Sequence, residues 1–346
     1  MNLLKRFVKP PSGFFKALIS LSLLLVALGL IRLFTFSGKV GSDDDLYQKY
    51  FKDHYRIYAV NIPHDLNFSG EPAPVEDFEV RERLDREFLI NTYWQSQTLL
   101  LIKRANRWLP SISRILKKHG IPDDFKYLAV VESGFQLNVS PKGAAGFWQF
   151  IPSTAQAYGL TITEEIDERY HFEKSTEAAC KFFKESYKTF GNWTLVAASF
   201  NLGITGIQKQ LERQKVNSYY DLLLNEETGR YLFRVLAMKE ILSNPAQYGF
   251  ILRKKDLYPA LPGKVMVIDS TINSLPDFAQ KLGTNYKLLR FYNPWLKGDK
   301  LSNPENKRFS ILVPSENAKN YKALVKEAEA LEEKNGQRDT VIPPAQ

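Results

Sequence analysis

The chain is short of the residues on which several kinds of chemistry depend. Its 346 residues include one cysteine, Cys180, so no intramolecular disulfide can form. Within the helical-looking run 175–190, that thiol reads as a buried structural residue rather than a nucleophile. The four histidines, His54, His64, His119 and His171, are dispersed. No two of them stand at metal-ligand spacing, so no metal site and no cofactor is expected. Long blocks of like charge are also missing. Lys and Arg are scattered and the net charge of +9 is modest for this length, which argues against nucleic acid as a partner and suits a face turned to an anionic surface or polymer. Period-two alternation is sparse, which leaves no room for a large sheet. What remains, 44% hydrophobic and 25% charged residues, is ordinary globular composition and excludes gross disorder.

One hydrophobic run stands out. Lys5, Arg6, Lys9 and Lys16 precede an uncharged apolar stretch over 17–31. Snorkelling of Lys16 and Arg32 extends it to about 14–36, near the ~20 residues a bilayer span needs. The reading favoured is a basic N-terminus and uncleaved transmembrane anchor over 1–36. The basic residues before it and Asp43, Asp44 and Asp45 after it put the N-terminus in the cytoplasm and the rest of the chain outside. A cleaved signal peptide is the rival reading, for which 35–38 is a poor small-x-small site.

A linker is expected over 37–74, where prolines cluster without apolar periodicity. From 75 to 250 the pattern is helical. The periodicity predicts a long helix over 81–108 ended by Leu109-Pro110, then a second from Ile112 to Gly120. A third helix starts at Ile121-Pro122, and later ones fall at 153–158, 175–190, 193–201, 207–214 and 226–243. A linker over 251–261 leads to a small β-α-α-β domain over 262–315, with strands at 265–268 and 309–313. A charged tail fills 316–346. The fold class is therefore mainly α: a helical domain, a small α+β domain and an N-terminal transmembrane helix.

The third helix carries an anomaly. Phe125, Leu128, Ala129 and Glu132 fall at i, i+3, i+4 and i+7, so a carboxylate occupies the last slot of a buried stripe. Desolvation and the negative helix end, where Ser133-Gly134 stop the helix, would both raise its pKa. A carboxylic acid still protonated near neutral pH is what a general acid needs. Read without its surroundings, Glu132 is equally a helix-end glutamate fraying into water.

Its surroundings repeat the theme. Gly143-Ala-Ala-Gly146-Phe147-Trp148-Gln149 follows, in which the glycines allow a tight turn beside a ligand. Phe147 and Trp148 offer flat apolar surface of the kind that packs on sugar rings, and Gln149 offers donors and an acceptor. Taken singly, an aromatic beside a glycine-rich turn is more often core than ligand platform. Asp167-Glu-Arg169 reads as a structural ion pair with a capping role. Ala198-Ser-Phe200-Asn201-Leu-Gly203 and Glu227-Thr-Gly-Arg-Tyr231 complete the set.

In this order and at these intervals the motifs resemble the lytic transglycosylases of the goose-type-lysozyme superfamily, over roughly 109–250. The resemblance implies a lysozyme-like catalytic domain with Glu132 as the single catalytic acid/base. It further implies that Ser133, Gly146, Phe147, Trp148, Gln149, Phe200, Asn201 and Tyr231 bind substrate or shape the site. Phe200 stands where the family usually has tyrosine, so that hydroxyl is missing here. In the small domain Leu275, Phe278, Ala279 and Leu282, then Tyr286, Leu289 and Asn293-Pro294, then Ile311-Leu-Val-Pro314 are in an order similar to that of a degenerate LysM module. This implies binding of GlcNAc-containing glycan, a small packing domain being the alternative. The implied activity is cleavage of the MurNAc-β-1,4-GlcNAc bond in peptidoglycan glycan strands with 1,6-anhydro-MurNAc ends, by a monomer anchored in the cytoplasmic membrane and facing the periplasm. A lysozyme-type hydrolase and a non-catalytic wall-binding protein are the alternatives.

Overall fold

A computed structural model describes residues 43–54 and 58–334, together with Leu21. The rest of the apolar run 17–31, and with it the expected anchor, lies outside the described residues, as does the end of the tail after 334. Among the described residues no helix is long and apolar enough to cross a membrane. The chain divides into two units, residues 1–59 and 60–346. In the first, α1 (Asp43–His54) replaces part of the expected linker. Asp44 and Asp45 in its first turn suit the positive end of the helix dipole.

The second unit is mainly helical with a small two-stranded module. It begins with chain that was expected to be a tether and is not. Ile62, Leu66, Phe68, Ala73 and Val75 are all buried. A short hairpin of β1 (Asn67–Phe68) and β2 (Glu71–Pro72) turns through Ser69 and Gly70, both at positive φ as such tight turns demand. Glu71 then receives the N–H groups of Trp193 and Thr194 at 2.6 and 2.8 Å, and so caps a helix start far along the chain. Isolated apolar residues without periodicity bury as well as a periodic stripe does.

Two long helices follow, α2 (Phe78–Tyr93) and α3 (Gln95–Lys118). The break falls at Trp94, and Pro110 lies inside α3, the reverse of the sequence expectation. Ile102, Ala105, Leu109, Ile112 and Leu116 form one buried stripe across the proline. That continuous packing offsets the roughly 3 kcal/mol an interior proline costs a helix. After a 3-10 turn at Asp123–Phe125, which buries Phe125, comes α4 (Lys126–Ser133), which buries Leu128 and Ala129 as the spacing predicts. Gly134, at φ +54°, stops it with its N–H on the Val130 carbonyl.

The body continues with α5 (Pro152–Ala157), α6 (Phe172–Phe190), α7 (Trp193–Leu202), α8 (Ile204–Gln214) and α9 (Glu226–Ser243). Helix α9 is buried on most sides and packs on α2, α4 and α7, which makes it the spine of the unit. Cys180 is buried on α6, where loss of solvent pushes its thiol up to about 12. That makes it an inert core residue.

The small module is β3 (Gly263–Ile268), α10 (Leu275–Lys281), α11 (Tyr286–Tyr292) and β4 (Phe309–Pro314). The strands pair antiparallel, from Gly263 opposite Pro314 to Ile268 opposite Phe309. The expected linker at 251–261 is docked on α3. Asn106 Nδ2 and Arg107 Nε reach the carbonyls of Tyr258 and Pro259 at 3.0 and 2.8 Å, and Tyr258 N–H bonds the Lys103 carbonyl. In the charged tail, α12 (Tyr321–Lys334) buries Leu324 and Ala328.

Candidate active site

Glu132 sits in the last turn of α4, with Tyr231 of α9 directed at it. The Tyr231 hydroxyl donates to Glu132 Oε1 at 2.6 Å. Loss of solvent raises the Glu132 carboxyl to about 7; the Tyr231 hydrogen bond and the Arg234 guanidinium pull it down, and Glu227 pushes it up. As a residue Glu132 is half-buried rather than sealed within the core. Tyr231 is itself held well above its ordinary range, by burial first and then by the Glu132 charge, and so stays a donor at any working pH. Its bond occupies Oε1 and leaves Oε2 to carry a transferable proton.

Helix α9 supplies more than the tyrosine. Glu227, Tyr231 and Arg234 stand at i, i+4 and i+7 and share one face. Behind them Glu87 of α2, only 1% exposed, accepts from Arg230 Nε at 2.6 Å and lies 3.9 Å from Arg234 Nε. One buried carboxylate thus holds two arginines, and one of these tunes the acid. Sequence reasoning missed both Arg234 and Glu87. The available signal was a charged stripe bracketing Tyr231 on a helix otherwise written for the core.

The turn after α4 is built on positive φ at Gly143, Gly146 and Gln149. At Gly146 a Cβ would lie 1.9 Å from the Arg169 carbonyl oxygen, so no side chain fits. Arg169 forms a fork on Asp167, Nε to Oδ1 at 2.9 Å and an Nη to Oδ2 at 2.7 Å, while its other Nη donates to the carbonyls of Gly143 and Phe150. The structural role expected for Asp167-Glu-Arg169 is the one its geometry performs. Ser133 Oγ lies 2.9 Å from the Phe147 carbonyl and 3.1 Å from that of Ala129, and accepts the Phe135 N–H. It therefore ties the acid's helix to the turn rather than facing a ligand.

Two other expected ligand contacts are corrected. Phe147 is 1% exposed and Trp148 0%. Trp148 donates its indole N–H to Thr176 Oγ1 at 3.0 Å and meets Phe183 and Phe200 edge-on. Both rings are core, because the turn through Gly146 points them inward. Phe200 belongs to the same cluster, against Trp148, Phe150, Phe182 and Phe183, with only part of its ring exposed. Gln149 spends its amide protons on the carbonyls of Asn138 and Gly146, which leaves Oε1 as its free acceptor. Asn201 Oδ1 accepts from Thr228 Oγ1 at 2.8 Å, joining the end of α7 to the start of α9.

Exposed apolar surface near the turn comes instead from Leu137, Val139 and Ile151. Lys142 Nζ and Glu227 Oε2 form an exposed pair at 3.9 Å between the turn and α9. Among the described residues no cluster of His, Cys, Asp or Glu could hold a metal ion.

Known proteins match the chain in two regions. Residues 111–223 match the Transglycosylase SLT domain, and residues 264–317 match the Soluble lytic transglycosylase C-terminal LysM-like domain. The first match includes Glu132, the glycine turn and Asn201, and stops short of Tyr231. The chain is 31% identical over 251 residues to Membrane-bound lytic murein transglycosylase D of Escherichia coli (strain K12). That alignment covers 70% of this chain and 53% of the relative, and the same figures hold for the protein of that name from Escherichia coli O6:H1. The chain spans about half the length of these curated relatives.

Proposed function

We propose that this protein is a peptidoglycan lytic transglycosylase of the cell envelope, with Glu132 as its one catalytic acid and base. The observation that carries the reading is a carboxyl raised to about 7, bonded on one oxygen by a permanent donor, Tyr231. Near neutral pH such a group is protonated in a large fraction of molecules and also returns readily as a base. Two-carboxylate glycosidases place a second acid across the scissile bond. The three other acids of the motifs are otherwise engaged, Glu168 being buried and bonded by Lys174 and the Thr161 N–H. Asp167 is buried in its fork with Arg169, and Glu227 is exposed and paired with Lys142.

One carboxyl suffices for the following sequence. Glu132 gives its proton to the oxygen of the MurNAc-β-1,4-GlcNAc bond, and the bond from C1 to that oxygen breaks. The substrate's N-acetyl oxygen stabilises the positive C1. Glu132, now ionised and steadied by the Tyr231 hydroxyl, takes the proton of the C6 hydroxyl. O6 then bonds to C1 and closes a 1,6-anhydro ring, with no water consumed. Gln149 Oε1 and Asn201 contribute polar contacts to the sugars, and the module at 264–317 contributes glycan binding. The cell-envelope location is supported by likeness to a protein named as membrane-bound. An anchor within 1–36, a periplasm-facing catalytic unit and a monomeric state complete the proposal, and the anchor rests on the charge pattern around the apolar run 17–31.

The test is mass spectrometry of muropeptides released from purified sacculi by the full chain and by Glu132→Gln. The expected result is 1,6-anhydro ends from the wild type and none from the variant, with wall binding equal in both. Reducing ends would identify a hydrolase, and absence of product from the wild type a non-catalytic wall binder.

A further inference from the structure

The small module is fastened directly to the chain that holds the glycine turn. We propose that it serves catalysis as a scaffold for that turn, with Glu165 as the clasp and positioning residue. This rests on the chemistry assigned to Glu132 and goes beyond glycan binding by the module.

Glu165 meets the module through both side chain and backbone. Its carboxylate accepts the Ser302 N–H at 2.6 Å and the Ser302 hydroxyl at 3.0 Å, with Lys300 Nζ at 3.4 Å. Its carbonyl accepts the N–H groups of Lys297 and Gly298 at 2.7 and 3.3 Å. The backbone N–H of Ser302 is the largest influence holding this carboxyl below its ordinary range. Ile166 forms a bridge with Leu296, and Asp167 N–H bonds the Trp295 carbonyl at 2.9 Å. The tie is continuous from Glu165 to Asp167.

From Asp167 the path runs into the active site. Its carboxylate orients Arg169, which grips the carbonyls of Gly143 and Phe150 at the two ends of the turn. A second path is apolar. Ala145, inside the turn and fully buried, belongs to the core cluster of Ile166 and Tyr170 with the module's Leu275, Trp295 and Leu296. The module's own core thus closes over a residue next to Gly146. With positive φ at three positions and no helix of its own, the turn has little local order to fall back on. A module on a free tether would raise local substrate concentration alone. A module docked in this way fixes geometry, which acts on turnover.

The test uses the full chain with Glu165→Ala and the milder Glu165→Gln, both first checked for an intact thermal transition. Because the Glu165 carboxylate lies at the surface of the contact, both variants should fold. In Glu165→Ala, amide hydrogen exchange over 140–150 should quicken about tenfold, the scale of losing charge-assisted bonds at a clasp. Its kcat on soluble glycan strands should fall by about the same factor with KM unchanged. Glu165→Gln, which keeps an acceptor, should be intermediate. Exchange that quickens at 295–302 and not at 140–150, or a raised KM at constant kcat, would overturn the proposal in favour of an independent binding module. If the wild type gave no 1,6-anhydro product, the assignment of Glu132 would fail, while the exchange measurement would still decide whether the module scaffolds the turn.

Discussion

Tyr231 donates its hydroxyl to Glu132 Oε1 across 2.6 Å, from a helix that begins almost a hundred residues after the acid. The bond opposes burial. Burial favours the protonated acid needed for the first step, and the tyrosine stabilises the carboxylate that the second step needs. Neighbours of opposite sign should therefore move the reaction's pH dependence in opposite directions.

The alkaline limb of kcat/KM should lie near 7, because Glu132 must start protonated. Tyr231→Phe and Arg234→Gln each remove an influence that lowers the carboxyl's pKa, so both should shift the limb to higher pH. Glu227→Gln removes an influence that raises it and should shift the limb lower. Tyr231→Phe should also cost turnover about tenfold or more, the scale of losing a hydrogen bond to a charged group. A pH–rate series on the four proteins checks the order, and a common limb would show that these groups do not set it.

The same raised pKa predicts a stability cost. Between 4.5 and about 7 the folded state holds a proton on Glu132 that the unfolded chain has released. Folding is then linked to proton uptake, so this group's contribution to stability falls as pH rises through that window. Above it the penalty reaches roughly 3 kcal/mol at most. Glu132→Gln keeps an acceptor for Tyr231 and carries no charge. Its Tm should match that of wild type near pH 4 and exceed it at pH 8. Equal Tm differences at the two pH values would mean that the acid is not strained by its site.

Phe147 and Trp148 were legible as core when taken singly, and only the company of the other motifs made them read as ligand contacts. Two aromatics beside a glycine turn can face either way, and the direction depends on the φ of Gly146, which only the Arg169 carbonyl explains. Glu132 was legible because a charge on an apolar stripe is conspicuous in one dimension. The break at Trp94 was not, since neither glycine nor proline marks it, and Pro110 misled because the stripe from Ile102 to Leu116 outweighs it. Docking of the chain near Tyr258 depends on donors from Asn106 and Arg107, about 150 residues away, which reach backbone carbonyls that no composition reveals.

The correction at Trp148 is testable. Trp148→Ala would empty a fully buried ring site and remove the indole donor to Thr176 Oγ1, which keeps its own bond to the Phe172 carbonyl, at a cost of about 3–5 kcal/mol in stability. Val139→Ser and Ile151→Ser change exposed side chains and should leave Tm within a degree or two. If these side chains pack on sugar faces, KM should rise in the serine variants with kcat held. Unfolding curves and steady-state kinetics on the three proteins separate core from contact surface.

Gly146→Ala should be the most damaging single-methyl change in the site. Its backbone stands at φ +81°, and the new Cβ would meet the Arg169 carbonyl oxygen at 1.9 Å. Backbone cannot yield as a flexible side chain can, so the turn must lift from Arg169. Left-handed strain alone costs about 1–3 kcal/mol, and the clash adds to it. Release of the turn would loosen the Arg169 bonds to Gly143 and Phe150 and move Phe147, whose carbonyl Ser133 holds beside Glu132. Activity should therefore fall further than Tm suggests. Gly143→Ala is the control, because it shares the positive φ and has open space where its Cβ would go. It should lose stability through strain alone and keep most of its turnover. Equal losses of activity in the two variants would show that strain matters at this turn and close packing against Arg169 does not.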